Sequence, residues 1–171
     1  MRLPVGAADS SIASEPRSAR WRSTEPYTYR SDSAVPPFAD DRPVVVFDGD
    51  CALCSGFARF ILKHDRRAAL RLLPAQSVLG QSLYRHWGLD PLNFETNALL
   101  ENGRAWFKSE GSIRIFVLLG FPWSMAAGLK IVPRPLLDRL YDAIARNRIR
   151  WFGIEPVCFL GDASHADRFL R

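Results

Sequence analysis

The chain has 171 residues, 23 of them basic and 18 acidic, for a formal charge of +5. Apolar residues make up 47% and charged residues 24%, the makeup of one globular domain; this excludes a wholly disordered or collagen-like chain, and three cysteines are too few for a disulfide scaffold. The charge is moderate and spread along residues 41–171, so it does not form the dense basic stripe of a nucleic-acid binder.

Residues 1–40 hold seven Ser, five Pro and no sustained apolar period. Such a segment buries too little surface to offset its ordering entropy, and a disordered tail ending near Pro36-Pro37 is expected. The alternative is that Trp21, Tyr27, Tyr29 and Phe38 dock on the domain. The segment has no apolar core of a secretory signal, and Asp9, Glu15, Glu25, Asp32 and Asp40 are too many acids for a transit peptide. The uncharged stretch from Ile115 to Leu129 is too short to span a membrane and is interrupted by Gly120, Pro122 and Gly128. A cytoplasmic protein with reduced thiols is expected.

The domain proper, 41–171, starts with Pro43-Val44-Val45-Val46-Phe47, a β-branched run that reads as a buried strand. Asp48-Gly49-Asp50 turns the chain into a helix, on which Leu53, Phe57, Phe60, Ile61 and His64 share a face. Leu70–Leu73 is a second strand, stopped by Pro74. A helix from Gln76 to Trp87 follows, ended by Gly88. Asn102-Gly103 between two short apolar runs signals a tight antiparallel hairpin. A helix from Ser109 to Leu119 comes next. The last helix begins after Pro133, and its spacing predicts a buried face of Leu136, Leu137, Leu140, Tyr141 and Ile144. Arg146, Arg148 and Arg150 at its end read foremost as surface charge compensating the helix dipole; an anion site is the alternative. Trp106, Trp123 and Trp151 read as packing residues.

Cys51 and Cys54 carry the chemistry. A Cys-x-x-Cys pair where a strand gives way to a helix places Cys51 at the N-cap, facing unpaired N–H groups and the positive end of the dipole. A thiolate is stabilised there, so Cys51 is expected to attack a disulfide and Cys54, one turn on, to resolve the mixed disulfide. Asp48 is placed either to accept the proton of Cys54 or, as Asp48 or Asp50, to cap the helix. A zinc site would need Cys158 with His165, His64 or His86, and the spacing does not suit one. Inert packing thiols are the other alternative.

Asp48-Gly49-Asp50-Cys51-Ala52-Leu53-Cys54 after an apolar strand resembles the D-x-x-C-x-x-C signature of the DCC thiol-disulfide oxidoreductase family. Ser109-Glu110-Gly111 is similar to that family's Ser-acidic-Ala step. Tyr141–Arg148 with Phe152-Gly153 is similar to its Tyr…Ala-Arg-Asn-Arg…Phe-Gly segment, and Cys158 stands where members often have a third cysteine. The resemblance covers about 43–171. It implies a thioredoxin-like α/β fold, a central mixed sheet flanked by helices with a C-terminal helical extension, and Asp48, Cys51 and Cys54 as site residues. The element order β-α-β-α-β-β-α agrees. The implied partner is a disulfide-containing protein or small thiol, with no cofactor beyond the dithiol pair and an external thiol reductant. Thioredoxins proper place a cis-proline just before the third strand; here Glu95-Thr96 precedes it.

Two rivals remain at this level. Val44–Asp50 also resembles the D-x-D loop of haloacid dehalogenase-like, Mg²⁺-dependent phosphatases, with Asp162 and Asp167 as a late acidic motif; Cys51-Ala52 replaces the Gly-Thr usual there. A non-enzymatic binding module would use Phe121-Pro122-Trp123 as an exposed patch.

Overall fold

Three valines and a phenylalanine in succession crowd a helix but fit a pleated strand with both faces covered. In the computed structural model, which describes residues 25–154 and 163–170, that run is β1, Val44–Phe47, an inner strand with all four side chains buried. Among the described residues, seven further strands and α-helices follow it: α1 (Ala52–His64), β2 (Arg71–Pro74), α2 (Val78–His86), β3 (Ala98–Glu101), β4 (Arg104–Phe107), α3 (Lys108–Leu118) and α4 (Arg134–Phe152). The sheet order is β2-β1-β3-β4. β1 runs parallel to β2, with Val45 opposite Leu72, and antiparallel to β3, with Val45 opposite Leu99. This mixed four-stranded sheet flanked by helices is the expected thioredoxin-like α/β architecture.

Local chemistry sets the connections. Ser77 caps α2, its Oγ accepting the N–H of Gly80 at 3.0 Å. Asn102 and Gly103 both adopt positive φ, the tight hairpin turn that Asn-Gly favours. Alternation then sorts the core into two layers. Val44, Val46, Leu73 and Leu100 pack against Leu83, Tyr84 and Trp87 of the α2 side. Val45, Phe47, Leu72 and Leu99 pack against Ala58 and Ile61 of α1 and Ile115 of α3. At the far end of the chain, Arg168 bonds Asp65 and the carbonyl of Leu70, and Leu170 N–H donates to Leu72 O, so the C-terminus is tied to the outer edge of β2.

Two expectations are corrected. The apolar stripe of α4 is not its buried face. Leu136, Leu140 and Ile144 are exposed, Leu137 and Tyr141 are half-buried, and Arg148 is the buried residue of the helix. The helix lies on α1 and α3 along a more polar stripe because an ion pair described below draws Arg148 inward.

The second correction concerns the tail. Residues 25–40 pack on the domain. Tyr29 and Val35 are buried in the layer that holds Val44, Tyr84 and Trp87. Tyr27 N–H donates to Gly103 O at 2.8 Å, and its ring lies so close to Gly103 that a Cβ there would sit 2.6 Å from it. Tyr29 donates its hydroxyl proton to Asp40, which also takes the Arg30 guanidinium, and Asp32 lies 2.7 Å from His86 Nδ1. A few aromatic anchors suffice for docking where no periodic face exists. Removal of residues 1–40 is therefore expected to destabilise the domain. Tyr29→Ala alone should cost about 3 kcal/mol, a melting-temperature drop of roughly 6 °C or more for a chain this size. Thermal denaturation checks both, and unchanged melting would show that the segment merely rests on the surface.

Candidate functional site

β1 ends at Phe47 and α1 begins at Ala52, so residues 48–51 make the whole turn between them. The Asp48 side chain shapes that turn: its Oδ1 accepts the N–H of Asp50 at 3.1 Å and Gln76 Nε2 at 2.7 Å. Gly49 N–H donates to Gln76 Oε1, and Ser55 Oγ donates to Gly49 O. Cys51 is the N-cap, as its position predicts, and its carbonyl accepts the first helical bond, from Ser55 N–H at 2.9 Å. Cys54 is the third residue of the helix, one turn on. Neither Asp48 nor Asp50 is the N-cap of α1; that position is Cys51, and Asp48 bonds the N–H of Asp50 within the turn instead.

The structure adds one residue that sequence reasoning placed on the surface. Arg148 Nη2 lies 2.9 Å from Asp48 Oδ2 and also donates to Phe94 O, with both charged side chains almost completely buried. A guanidinium thus stands beside the two thiols. The signal that could have located it was the family segment ending in Arg148; its helical position alone gave none.

Both cysteines are thiols, and their acidities diverge. Cys51 is lowered to about 6, chiefly because the Cys54 thiol can donate to its sulfur. The backbone N–H of Cys54 and the Arg148 charge act the same way, while burial and Asp48 oppose. Cys54 is pushed up strongly, first by giving its proton to Cys51, then by burial. One sulfur is therefore an anion at neutral pH and the other holds its proton, the division that an attacking and a resolving thiol require.

Access is restricted. Cys51 is fully buried and Cys54 is 4% exposed. The chain leaving α4 crosses the pair: Ile154 bridges Cys51 in antiparallel fashion, and Ala52 N–H reaches Gly153 O at 3.4 Å. Ahead of β3, where a thioredoxin carries its proline, stand Thr96 and Asn97. Tyr141 of α4 holds them, its hydroxyl oxygen accepting Asn97 N–H at 3.1 Å and Thr96 Oγ1 at 3.2 Å.

The other candidates fall apart in space. His64 packs on Phe60 and Trp123, and His86 is bound by Thr28 and Asp32, so neither joins the cysteines. Cys158 and Asp162 lie outside the described residues. The phosphatase reading needs a free Asp48 facing a second acid, yet both Asp48 oxygens are taken and Asp50 points to solvent. Trp123 of the proposed docking patch packs edge-on to Phe60 and is only partly exposed, leaving Phe121 and Pro122 exposed there. Among the described residues, no helix is long and apolar enough to cross a membrane.

Comparison with known proteins agrees with this geometry. Residues 45–154 match the profile of the DCC1-like thiol-disulfide oxidoreductases. The uncharacterized protein YuxK of Bacillus subtilis is 38% identical over 127 residues, 74% of this chain and 93% of YuxK. A chloroplastic DCC family protein of Arabidopsis thaliana is 35% identical over 122 residues, 71% of each chain. No solved structure gives a significant match. With its dithiol at the strand-to-helix turn and its profile match across the sheet and α4, the chain belongs to the DCC1-like thiol-disulfide oxidoreductase family.

Proposed function

We propose that the protein is an enzyme that reduces or exchanges disulfides of proteins or small molecules through Cys51 and Cys54. The observation that carries this reading is the split acidity of the pair, an anionic Cys51 beside a protonated Cys54. Cys51 thiolate attacks one sulfur of the substrate. A Cys51–substrate disulfide forms, the substrate S–S bond breaks, and the departing thiolate takes up a proton. Cys54 then loses its proton and attacks Cys51, closing the Cys51–Cys54 disulfide and releasing the second substrate thiol. Two electrons pass from the dithiol to the substrate, and an external thiol reductant restores the pair. No other cofactor enters, and a reducing, cytoplasmic compartment suits an enzyme resting as a dithiol.

Asp48 and Arg148 divide the electrostatic work in this scheme. Arg148 favours the thiolate, and Asp48 disfavours it. In exchange, Asp48 offers a nearby base for the Cys54 proton in the second step. The Gly153–Ile154 crossing must shift for a disulfide to meet Cys51. Among the described residues, the bond from Ala52 N–H to Gly153 O at 3.4 Å and the Cys51–Ile154 bridge are what such a shift gives up.

Three outcomes are expected. Alkylation of Cys51 by iodoacetamide should rise with pH around a midpoint near 6, and Cys54→Ala, which removes the donor to its sulfur, should move that midpoint upward. Cys54→Ala should accumulate a mixed disulfide with a model substrate, whereas Cys51→Ala should trap almost none. Mass spectrometry decides, and trapping through Cys54 in preference would reverse the assignment. Asp48→Asn keeps the shape and removes the charge. It should lower the Cys51 midpoint yet slow resolution, so that a mixed disulfide becomes visible in stopped-flow quenching. Unchanged resolution would remove Asp48 from proton transfer.

A further inference from the structure

Beside Cys54 lies a groove of about 360 Å³ whose walls are almost wholly apolar. Leu53 and Phe57 of α1, Phe116 of α3 and Ile144 of α4 form them, with Asn97 and Tyr141 at the sheet end. Two features make it more than a packing defect. Among the described residues the buried Oδ1 of Asn97 has no hydrogen-bond partner, which costs about 1–3 kcal/mol until a donor arrives. The backbone N–H of Asn97 is already given to Tyr141. Beyond the groove an exposed apolar stripe continues along α4. Leu140 and Leu136 continue the same helical stripe, both more than half exposed, and extend it by about 12 Å at 1.5 Å per residue. Among the described residues that line it, the cation is Arg148, which already holds Asp48 and the Phe94 carbonyl.

We infer that this groove selects polypeptide disulfides whose half-cystine is flanked by apolar residues. An apolar side chain next to the substrate cysteine enters between Phe57, Phe116 and Ile144. The Asn97 side-chain amide turns its Oδ1, buried and without a partner at rest, towards the groove to accept a backbone N–H of the same segment, and further apolar residues lie along Leu140 and Leu136. The inference rests on the oxidoreductase reading and names its substrate. A small anionic disulfide finds no uncommitted cation in the groove, and it is too short to cover the stripe. The recognition that a thioredoxin builds around its proline is here assigned to a side-chain amide and a helix face.

The test uses the full chain and three kinds of substrate: peptide mixed disulfides of equal length and charge with Leu or Ser beside the cysteine, glutathione disulfide, and uncharged hydroxyethyl disulfide. The Leu peptide should exceed the Ser peptide about tenfold in kcat/KM, the ratio that about 1.4 kcal/mol of apolar burial gives. In Ile144→Glu that ratio should fall towards one, and the more exposed Leu140→Glu should lower it in part. N-methylation of the peptide bond beside the cysteine should slow the wild type several-fold and leave Asn97→Ala indifferent. Each result is read as a ratio of two substrates on one protein, so a partly destabilised variant still reports. Equal rates for the two peptides, a preference for glutathione disulfide, or a preference that survives Ile144→Glu would overturn the inference while the oxidoreductase reading stands. Failure to reduce even hydroxyethyl disulfide would overturn both.

Discussion

The contact between Arg148 and Asp48 joins residues 100 positions apart in the chain and holds the site together. Burying two charges is costly unless each finds an opposite charge and enough hydrogen bonds. Here Asp48 receives Arg148, Gln76 and the Asp50 N–H, and Arg148 also reaches the Phe94 carbonyl. With those partners in place the pair does three things. It shapes the turn that presents Cys51, it pulls the C-terminal half of α4 against α1, and it puts a fixed positive charge beside the thiols. Breaking such a pair by removing one partner typically costs about 3–5 kcal/mol, because the charge left behind stays buried.

The same contact explains why the last helix is turned as it is. An amphipathic helix would normally bury Leu136, Leu140 and Ile144. In α4 the tertiary requirement at Arg148, with the Tyr141 hydroxyl bonded to Thr96 and Asn97, overrides that periodicity. The apolar stripe is left facing outwards, next to the dithiol. Stability and function are thereby coupled. The polar contacts that seat the helix are those that organise the site, and the surface they expose is the one we infer to take the substrate.

The thiol pair itself rests on short-range physics. A sulfur at a helix start with a neighbouring thiol, a backbone N–H and a guanidinium favours the anion; burial and Asp48 limit how far. The balance leaves Cys51 ionised near neutrality and Cys54 protonated, and the Gly153–Ile154 crossing keeps the reactive sulfur out of contact with solvent at rest.

How much of this was legible in the sequence follows from the range of each interaction. The β-branched run of β1, the Asn-Gly hairpin and the N-cap position of Cys51 depend on residues within a few positions of one another, and the sequence by itself determined them. Asp48, Cys51 and Cys54 were recognisable because one turn holds all three. What tertiary structure decided depended on partners far along the chain. Tyr29 is buried because it meets α2 and β1, not because its own segment has a period. Arg148 is a site residue and not surface charge because Asp48 waits 100 residues away. The outward face of α4 follows from that pairing, since a helical pattern shows which residues share a face but not which face the rest of the protein will claim.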